Sequence, residues 1–271
     1  MERRVFIAGM AAVLAAGSSR TTRADTDPGV LRELAPSGKL RVGVGVGPVG
    51  SAFWATKDAA GTPHGVTIDL GTALAQKLGV APAFVVYNSS GEVTEAAAGG
   101  GWDVAFMPSD AERAKKVEFG PNYYLTTSTY LVAPGSSIKT IADVDRPGVR
   151  VFGVANTTTI RGAEKSLKQA TITGAATVDE IVARMKGGQV DAIALGRESL
   201  ESLAEKIPGS RVLDGYFHAT GTAIAVPKGK PVALRAATDF IEEAKASGLV
   251  RRVLDAHGIK GPVAPAGSHF E

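Results

Sequence analysis

The chain has 271 residues, 44% hydrophobic and 21% charged, which fits one large or two modest globular domains and excludes a disordered chain. Its 30 basic and 27 acidic side chains leave an excess that sits at the front, where residues 1–24 carry Arg3, Arg4, Arg20 and Arg23 against Glu2 alone. The neutral remainder excludes nucleic acid or an anionic membrane as main partner, and the absence of cysteine excludes disulfides, thiolate metal sites, Cys nucleophiles and a cysteine-borne lipid anchor.

Arg3 and Arg4, the apolar run Val5–Ala16 and the small residues Thr22 and Ala24 read as an export signal cut near Ala24, with a mature, soluble chain from Asp25. The run is too short to span a bilayer, which takes about 20 residues. Arg3-Arg4-Val5-Phe6-Ile7 also resembles a twin-arginine motif, so either export route stays open. A polar lead-in over 25–37 precedes a strand over Lys39–Val44. Apolar spacing predicts a helix over Thr67–Leu78 with Gly79 as its C-cap. Strand Ala83–Tyr87, helix Gly91–Ala98, strand Trp102–Met107, helix Ser109–Lys116 and strand Thr129–Ala133 follow.

The rhythm then repeats: strand Arg150–Val154, helix Thr158–Gln169, strand Thr171–Gly174, helix Val178–Lys186, strand Val190–Leu195 and helix Arg197–Lys206. Strands Val212–Phe217 and Thr222–Val226 and helices Pro231–Ser247 and Leu249–His257 close the chain, ahead of a flexible tail over 261–271. This alternation predicts the α/β class, with two doubly wound α/β lobes built on parallel sheets.

Gly45-Val46-Gly47-Pro48-Val49-Gly50 spells the dinucleotide fingerprint, but no helix pattern starts at the loop to face a pyrophosphate. It reads as a glycine-rich turn lining a cleft. The histidines His64, His218, His257 and His269 lack metal-ligand spacing, so neither metal nor cofactor is expected.

Several segments together resemble one family. Gly38-Lys39-Leu40-Arg41-Val42-Gly43-Val44 resembles its opening strand, and His64-Gly65-Val66-Thr67-Ile68-Asp69-Leu70 its entry to the first helix. Gly101-Trp102-Asp103-Val104-Ala105, the run Glu112–Phe119 followed by Pro121-Asn122-Tyr123-Tyr124, and Gly188-Gln189-Val190-Asp191-Ala192 continue the match in order. Over residues 38–260 the chain thus resembles the family 3 extracellular solute-binding proteins, periplasmic receptors of polar amino-acid ABC transporters. The resemblance implies a type II periplasmic binding fold, in which two lobes joined by a hinge close over a small ligand. Lobe 1 is expected over 38–133 and 221–260 and lobe 2 over 134–220, with crossings near Ala133–Ser136 and Ala219–Thr222.

By the same resemblance Arg113 grips a ligand carboxylate, for which its planar fork is suited. The other reading is a surface arginine paired with Glu112 or Glu118. The loop Met107-Pro108-Ser109-Asp110 is shorter than the family's, and either Ser109 or Asp110 supplies its hydrogen bond, unless Ser109 caps the next helix. Asn156, Thr157 and Thr158 occupy the anion-gripping turn of lobe 2, or form a plain N-cap. Phe53 and Trp54 match an aromatic pair that serves as cleft wall or core. Ser89 stands where many members place a ligand-sandwiching aromatic. Gly196 replaces the Asp that commonly pairs with an α-ammonium group, and Arg197, of the wrong sign for that task, either joins Arg113 in holding a carboxylate or points to solvent. Glu198 either substitutes or serves its helix dipole. The expected protein is a monomeric periplasmic receptor of a small carboxylate-bearing or amino-acid-like solute, working with an inner-membrane ABC permease and no nucleic acid. The rival is a periplasmic cyclohexadienyl dehydratase-like enzyme, with Glu198 or Asp110 as general acid.

Overall fold

A computed structural model describes residues 27–45, 51–58 and 60–269. The leader over 1–24, its cleavage point, the 46–50 part of the glycine-rich turn and the last two tail residues lie outside the described residues.

The first lobe opens with α1 (Pro28–Leu34), β1 (Lys39–Gly45), a small ribbon of β2 (Thr56–Lys57) and β3 (Pro63–His64), and α2 (Val66–Leu78). It continues through β4 (Ala81–Tyr87), α3 (Ser90–Ala96), β5 (Val104–Pro108), α4 (Ala111–Ala114) and the long β6 (Val117–Val132). The second lobe holds α5 (Ile141–Val144), β7 (Arg150–Val154), α6 (Thr158–Ser166), β8 (Thr171–Ala175), α7 (Val178–Lys186), β9 (Ala192–Gly196), α8 (Arg197–Ala204) and β10 (Arg211–Val212). Strand β11 (His218–Pro227) returns to the first lobe, which α9 (Pro231–Ala246) and α10 (Leu249–Ala256) complete.

Each lobe is an α/β sandwich with helices on both faces of its sheet. In the first, β1 pairs parallel with β4 and β5, and β11 runs antiparallel to β5. In the second, β7 pairs parallel with β8 and β9, while β6 is antiparallel to β9. The sheets are therefore mixed rather than purely parallel, because the two crossing strands run against their neighbours.

The strand pairing also bears on the crossing between lobes. β6 stays in one strand from the first lobe, where Val117–Tyr124 pairs β11, to the second, where Ser128–Val132 pairs β9. On this pairing we place the passage between lobes around Leu125–Ser128 rather than at Ala133–Ser136, and the return at Ala219–Gly221. The polar run Thr126-Thr127-Ser128 hides this strand from a hydrophobicity reading. Two of its hydroxyls are satisfied internally: Thr126 and Thr222 share a hydrogen bond of 2.7 Å, and Ser128 and Thr159 one of 3.0 Å.

Separate cores support the two lobes. Leu40, Val42, Leu70, Leu74, Phe240 and Ile241 pack one face of the first sheet, and Val93, Trp102, Met107 and Ala225 the other. Trp102 is wholly buried and its indole N–H donates to Val93 O at 2.7 Å, satisfying the one polar atom that burial would otherwise strand. Helix α2 ends as expected at Gly79, whose φ of 69° is the left-handed conformation that glycine adopts without a Cβ penalty. In the second lobe Leu131, Ile181, Ile193 and Leu200 form one core and Tyr130, Val144, Val151 and Ala192 the other.

The segment expected as a flexible tail is docked through residue 268. Val263 bridges Tyr124, Ala264 N–H donates to Tyr123 O at 3.0 Å, and Asn122 N–H donates to Ser268 O at 2.8 Å. Lys245 ties Pro265 O to α9 at 2.9 Å. Pro262, Pro265 and Gly267 suggest disorder by composition, but backbone pairing to β6 orders the segment.

Candidate functional site

The C-terminal ends of the parallel strands from both lobes meet at one cavity of about 120 Å³. Gly45 closes β1, Asn88 and Ser89 follow β4, and Phe106 and Pro108 end β5; across the gap Val154 ends β7 and Leu195 and Gly196 end β9. Ligands of open α/β sheets bind beyond these strand ends, where the following helices begin. Trp54 and Val178 add apolar wall, Thr126 comes from the crossing strand, and Ser90, Thr157, Thr158, Thr159 and Ser199 add hydroxyls. Among the described residues lining this cavity, none has an ionisable side chain.

Helix starts surround it. Thr157 caps α6: its hydroxyl donates to Val154 O at 2.8 Å and accepts from Ile160 N–H at 3.3 Å. Ser89 caps α3 by accepting from Glu92 N–H at 3.2 Å. Gly196 caps α8 without any side-chain hydrogen bond. These starts place partial positive charge toward the cavity.

Arg113 stands behind the Pro108 and Ser90 wall and itself lines a separate pocket with Glu95, Glu112, Asn156 and Arg161. It is 2% exposed, which removes the surface-helix reading. Its Nη1 donates to Pro108 O at 3.0 Å, and its Nη2 to Ser90 Oγ at 2.9 Å and to Asn156 O at 3.4 Å. The last bond crosses between the lobes. It is made possible by Asn156, whose φ of 60° is a left-handed conformation that asparagine tolerates. The buried Arg113 Nε has no partner, and all three bonds of the guanidinium go to neutral oxygens. Burial pulls the Arg113 pKa down to about 10; the nearby Asp110 works against that shift and Arg161 adds to it. The group remains a cation at neutral pH.

Asp110, not Ser109, caps α4, accepting from Arg113 N–H at 2.8 Å. Its other oxygen accepts from Arg161 Nε at 3.0 Å, joining the first lobe to α6 of the second. Burial pushes the Asp110 carboxyl up, but the Arg113 amide and Arg161 outweigh it and hold the group below the usual carboxylate range. This cross-lobe pair is partly exposed, with side chains 26% and 23% accessible. Asp110→Asn is expected to lower folding stability by about 1 kcal/mol or less, with the difference fading as salt is raised. Denaturant titrations at low and high ionic strength check this.

The other sequence candidates separate. Trp54, Ser89, Thr157, Thr158 and Gly196 line the cavity. Phe53 does not: it is fully buried in the first core, against Trp54 at 4.7 Å and Tyr124 at 4.6 Å between ring centroids. Met107 is core as well, beside Trp102. Ser109 is buried at the crossing, where its hydroxyl donates to Asn122 Oδ1 at 3.0 Å and to Gly221 O at 3.1 Å. Arg197 turns away, donating to Leu213 O at 3.2 Å and Gly215 O at 2.5 Å. Glu198 accepts from Tyr124 OH at 2.6 Å and, with it, lines a separate groove behind the crossing strands. Burial pushes its carboxyl pKa up. Ser90, Phe106, Pro108 and Thr159 escape a sequence reading because they carry no charge and sit beside residues that do match the family pattern.

A family model of bacterial extracellular solute-binding proteins, family 3, matches residues 42–258. The chain belongs to this family. Among relatives of family 3, the glutamine-binding protein of Geobacillus stearothermophilus is 25% identical over 210 residues, covering 73% of this chain and 76% of that protein. The ABC transporter glutamine-binding protein GlnH of Bacillus subtilis (strain 168) is 25% identical over 145 residues, 54% of this chain, and this match spans about half of that relative, 53% of its length. An ancestral amino acid-binding protein, a precursor of cyclohexadienyl dehydratase, superposes with a TM-score of 0.72 at 28% identity, covering 83% of this chain and 98% of its own. The fold of this family 3 chain is that of the type II periplasmic amino-acid-binding proteins. Among the described residues, no helix is long and apolar enough to cross a membrane.

Proposed function

We propose that this family 3 protein is the periplasmic solute-binding component of an ABC importer, capturing a small carboxylate-bearing solute between its lobes for an inner-membrane permease. The observation that carries the reading is the cavity at the joined strand ends, with the buried Arg113 behind it bonded to both lobes. A cation held only by neutral oxygens has lost hydration without gaining an ion pair, a cost of several kcal/mol that a bound anion offsets. Ser89, Ser90 and the α6 turn Thr157–Thr158 supply hydroxyls and amides for the rest of the solute, and Trp54 one apolar wall. In this reading Phe53, Met107, Ser109 and Asp110 position the site from behind, and the protein acts as a cleaved, exported monomer.

The dehydratase alternative needs a proton donor at the cavity. Asp110 is held ionised by Arg161, and Glu198 faces the groove behind the crossing strands, so capture without chemistry fits better. The test is a thermal-shift screen of purified protein against small carboxylates and amino acids, followed by X-ray scattering on each hit. A solute at a hundredfold excess over its Kd adds about 2.7 kcal/mol of stability and should make the particle more compact. Stabilisation without compaction, or turnover of prephenate, overturns the reading.

A further inference from the structure

The cavity's chemistry narrows the solute. We infer that the cleft selects a short carboxylate with a compact apolar body and no cationic group, and discriminates against zwitterionic α-amino acids. The inference rests on the capture reading and names the ligand class of that same site.

Charge is the first argument. An α-ammonium group taken into a closed cleft loses several kcal/mol of hydration and needs an anion in return. Among the described residues that line the cavity there is no carboxylate. Gly196 lies on the wall at the start of α8, and a Cβ built on it points toward Thr126 Cγ2 at 3.4 Å and Glu198 Oε2 at 3.7 Å. The carboxylate nearest that wall, Glu198, is not part of the cavity lining. It is engaged by Tyr124 OH at 2.6 Å and opens to the groove beyond. Meanwhile the starts of α6 and α8 and the Arg113 guanidinium all present positive charge from around the cavity. An ammonium meets no carboxylate in the lining, while a carboxylate meets the positive ends of two helices.

Size and polarity supply the second argument. A cavity of about 120 Å³ compares with the engineered apolar cavity of about 150 Å³ that takes benzene. Trp54, Phe106, Val154, Val178 and Leu195 provide its apolar surface. A branched chain of a few carbons fits such a space and meets apolar surface along it.

The test uses matched pairs on the mature chain: valine against 3-methylbutanoate, leucine against 4-methylpentanoate, and glutamine against 4-carbamoylbutanoate, each by titration calorimetry. The expected result is binding of the first two deaminated acids at least tenfold tighter than of their amino acids, with the glutamine pair weakest. Tighter binding of any of the amino acids than of its deaminated partner overturns the inference and leaves capture standing. Failure of all six to bind or to compact the protein overturns both. A second arm installs the missing anion. Gly196→Asp combined with Glu198→Gln places a carboxylate on the wall, where the Cβ has only ordinary contacts, and removes its like-charged neighbour. A folded double variant, by circular dichroism, should shift the preference at least tenfold toward amino acids, and an unchanged preference overturns the role given to Gly196. If the double variant fails to fold, the matched pairs on the unaltered chain decide alone.

Discussion

Arg113→Ala is expected to weaken solute binding by about 2–5 kcal/mol, the range for truncating one partner of a buried charged pair. The free protein should lose far less. In the structure the guanidinium bonds Pro108 O, Ser90 Oγ and Asn156 O, all neutral, so the charge brings little net stability once its burial is counted. Arg113→Met separates the two effects, because it keeps most of the volume and removes the cation. Its melting temperature should stay near that of the unaltered protein while carboxylate binding is lost in calorimetry. Equal affinities of unaltered and Met forms would leave Arg113 as a structural prop between the lobes and no more.

The second large effect is expected at Gly91, which does not line the central cavity. It sits in the first turn of α3, facing the second lobe, and a Cβ there would meet Asn156 Cβ at 3.1 Å and Asn156 O at 3.2 Å. The absence of a side chain lets the lobes approach. Gly91→Val should add about 1–3 kcal/mol of overpacking to the closed form only. Since each 1.4 kcal/mol is a factor of about ten, affinity should fall by roughly five- to more than a hundredfold. The unliganded protein's denaturant midpoint should be unchanged, because an opened cleft has room for the valine. Scattering at saturating ligand checks the mechanism: the variant should remain expanded where the unaltered protein compacts. Full compaction with lowered affinity would mean that the contact acts on the site itself.

Much of the fold was legible because its elements obey local rules. Helix α2 shows apolar spacing from Ile68 to Leu78 and a glycine stop, and α7 and α9 begin where the pattern places them. β6 was not legible over most of its length. Its burial does not alternate, since it is covered on both sides, and Pro121 and the Thr126-Thr127-Ser128 run look like loop signals. Here tertiary pairing with β11 and β9 overrides local propensity. At the site, Trp54 and Phe53 are neighbours of the same type, yet one lines the cavity and the other fills the core. No local pattern distinguishes them. Arg197 was misplaced for a related reason: carbonyls that attract it, at Leu213 and Gly215, come from a later segment. The significance of Gly196 was readable because it concerns a chemical group that is missing rather than where a side chain points.

The doubled passage of the chain between lobes has a mechanical consequence. β6 is 16 residues long and stays paired with β11 through the crossing, from Ser128 with His218 to Tyr124 with Thr222. Two strands stitched together resist sliding past each other but twist readily, so they behave as a torsion bar. A slight turn of that bar is magnified with distance, and the rims of the two lobes gape while the strands themselves scarcely move. The chamber has no need of a channel or a separate door. In the proposed capture reading, entry and release both run through this strand pair, so whatever stiffens it acts on both.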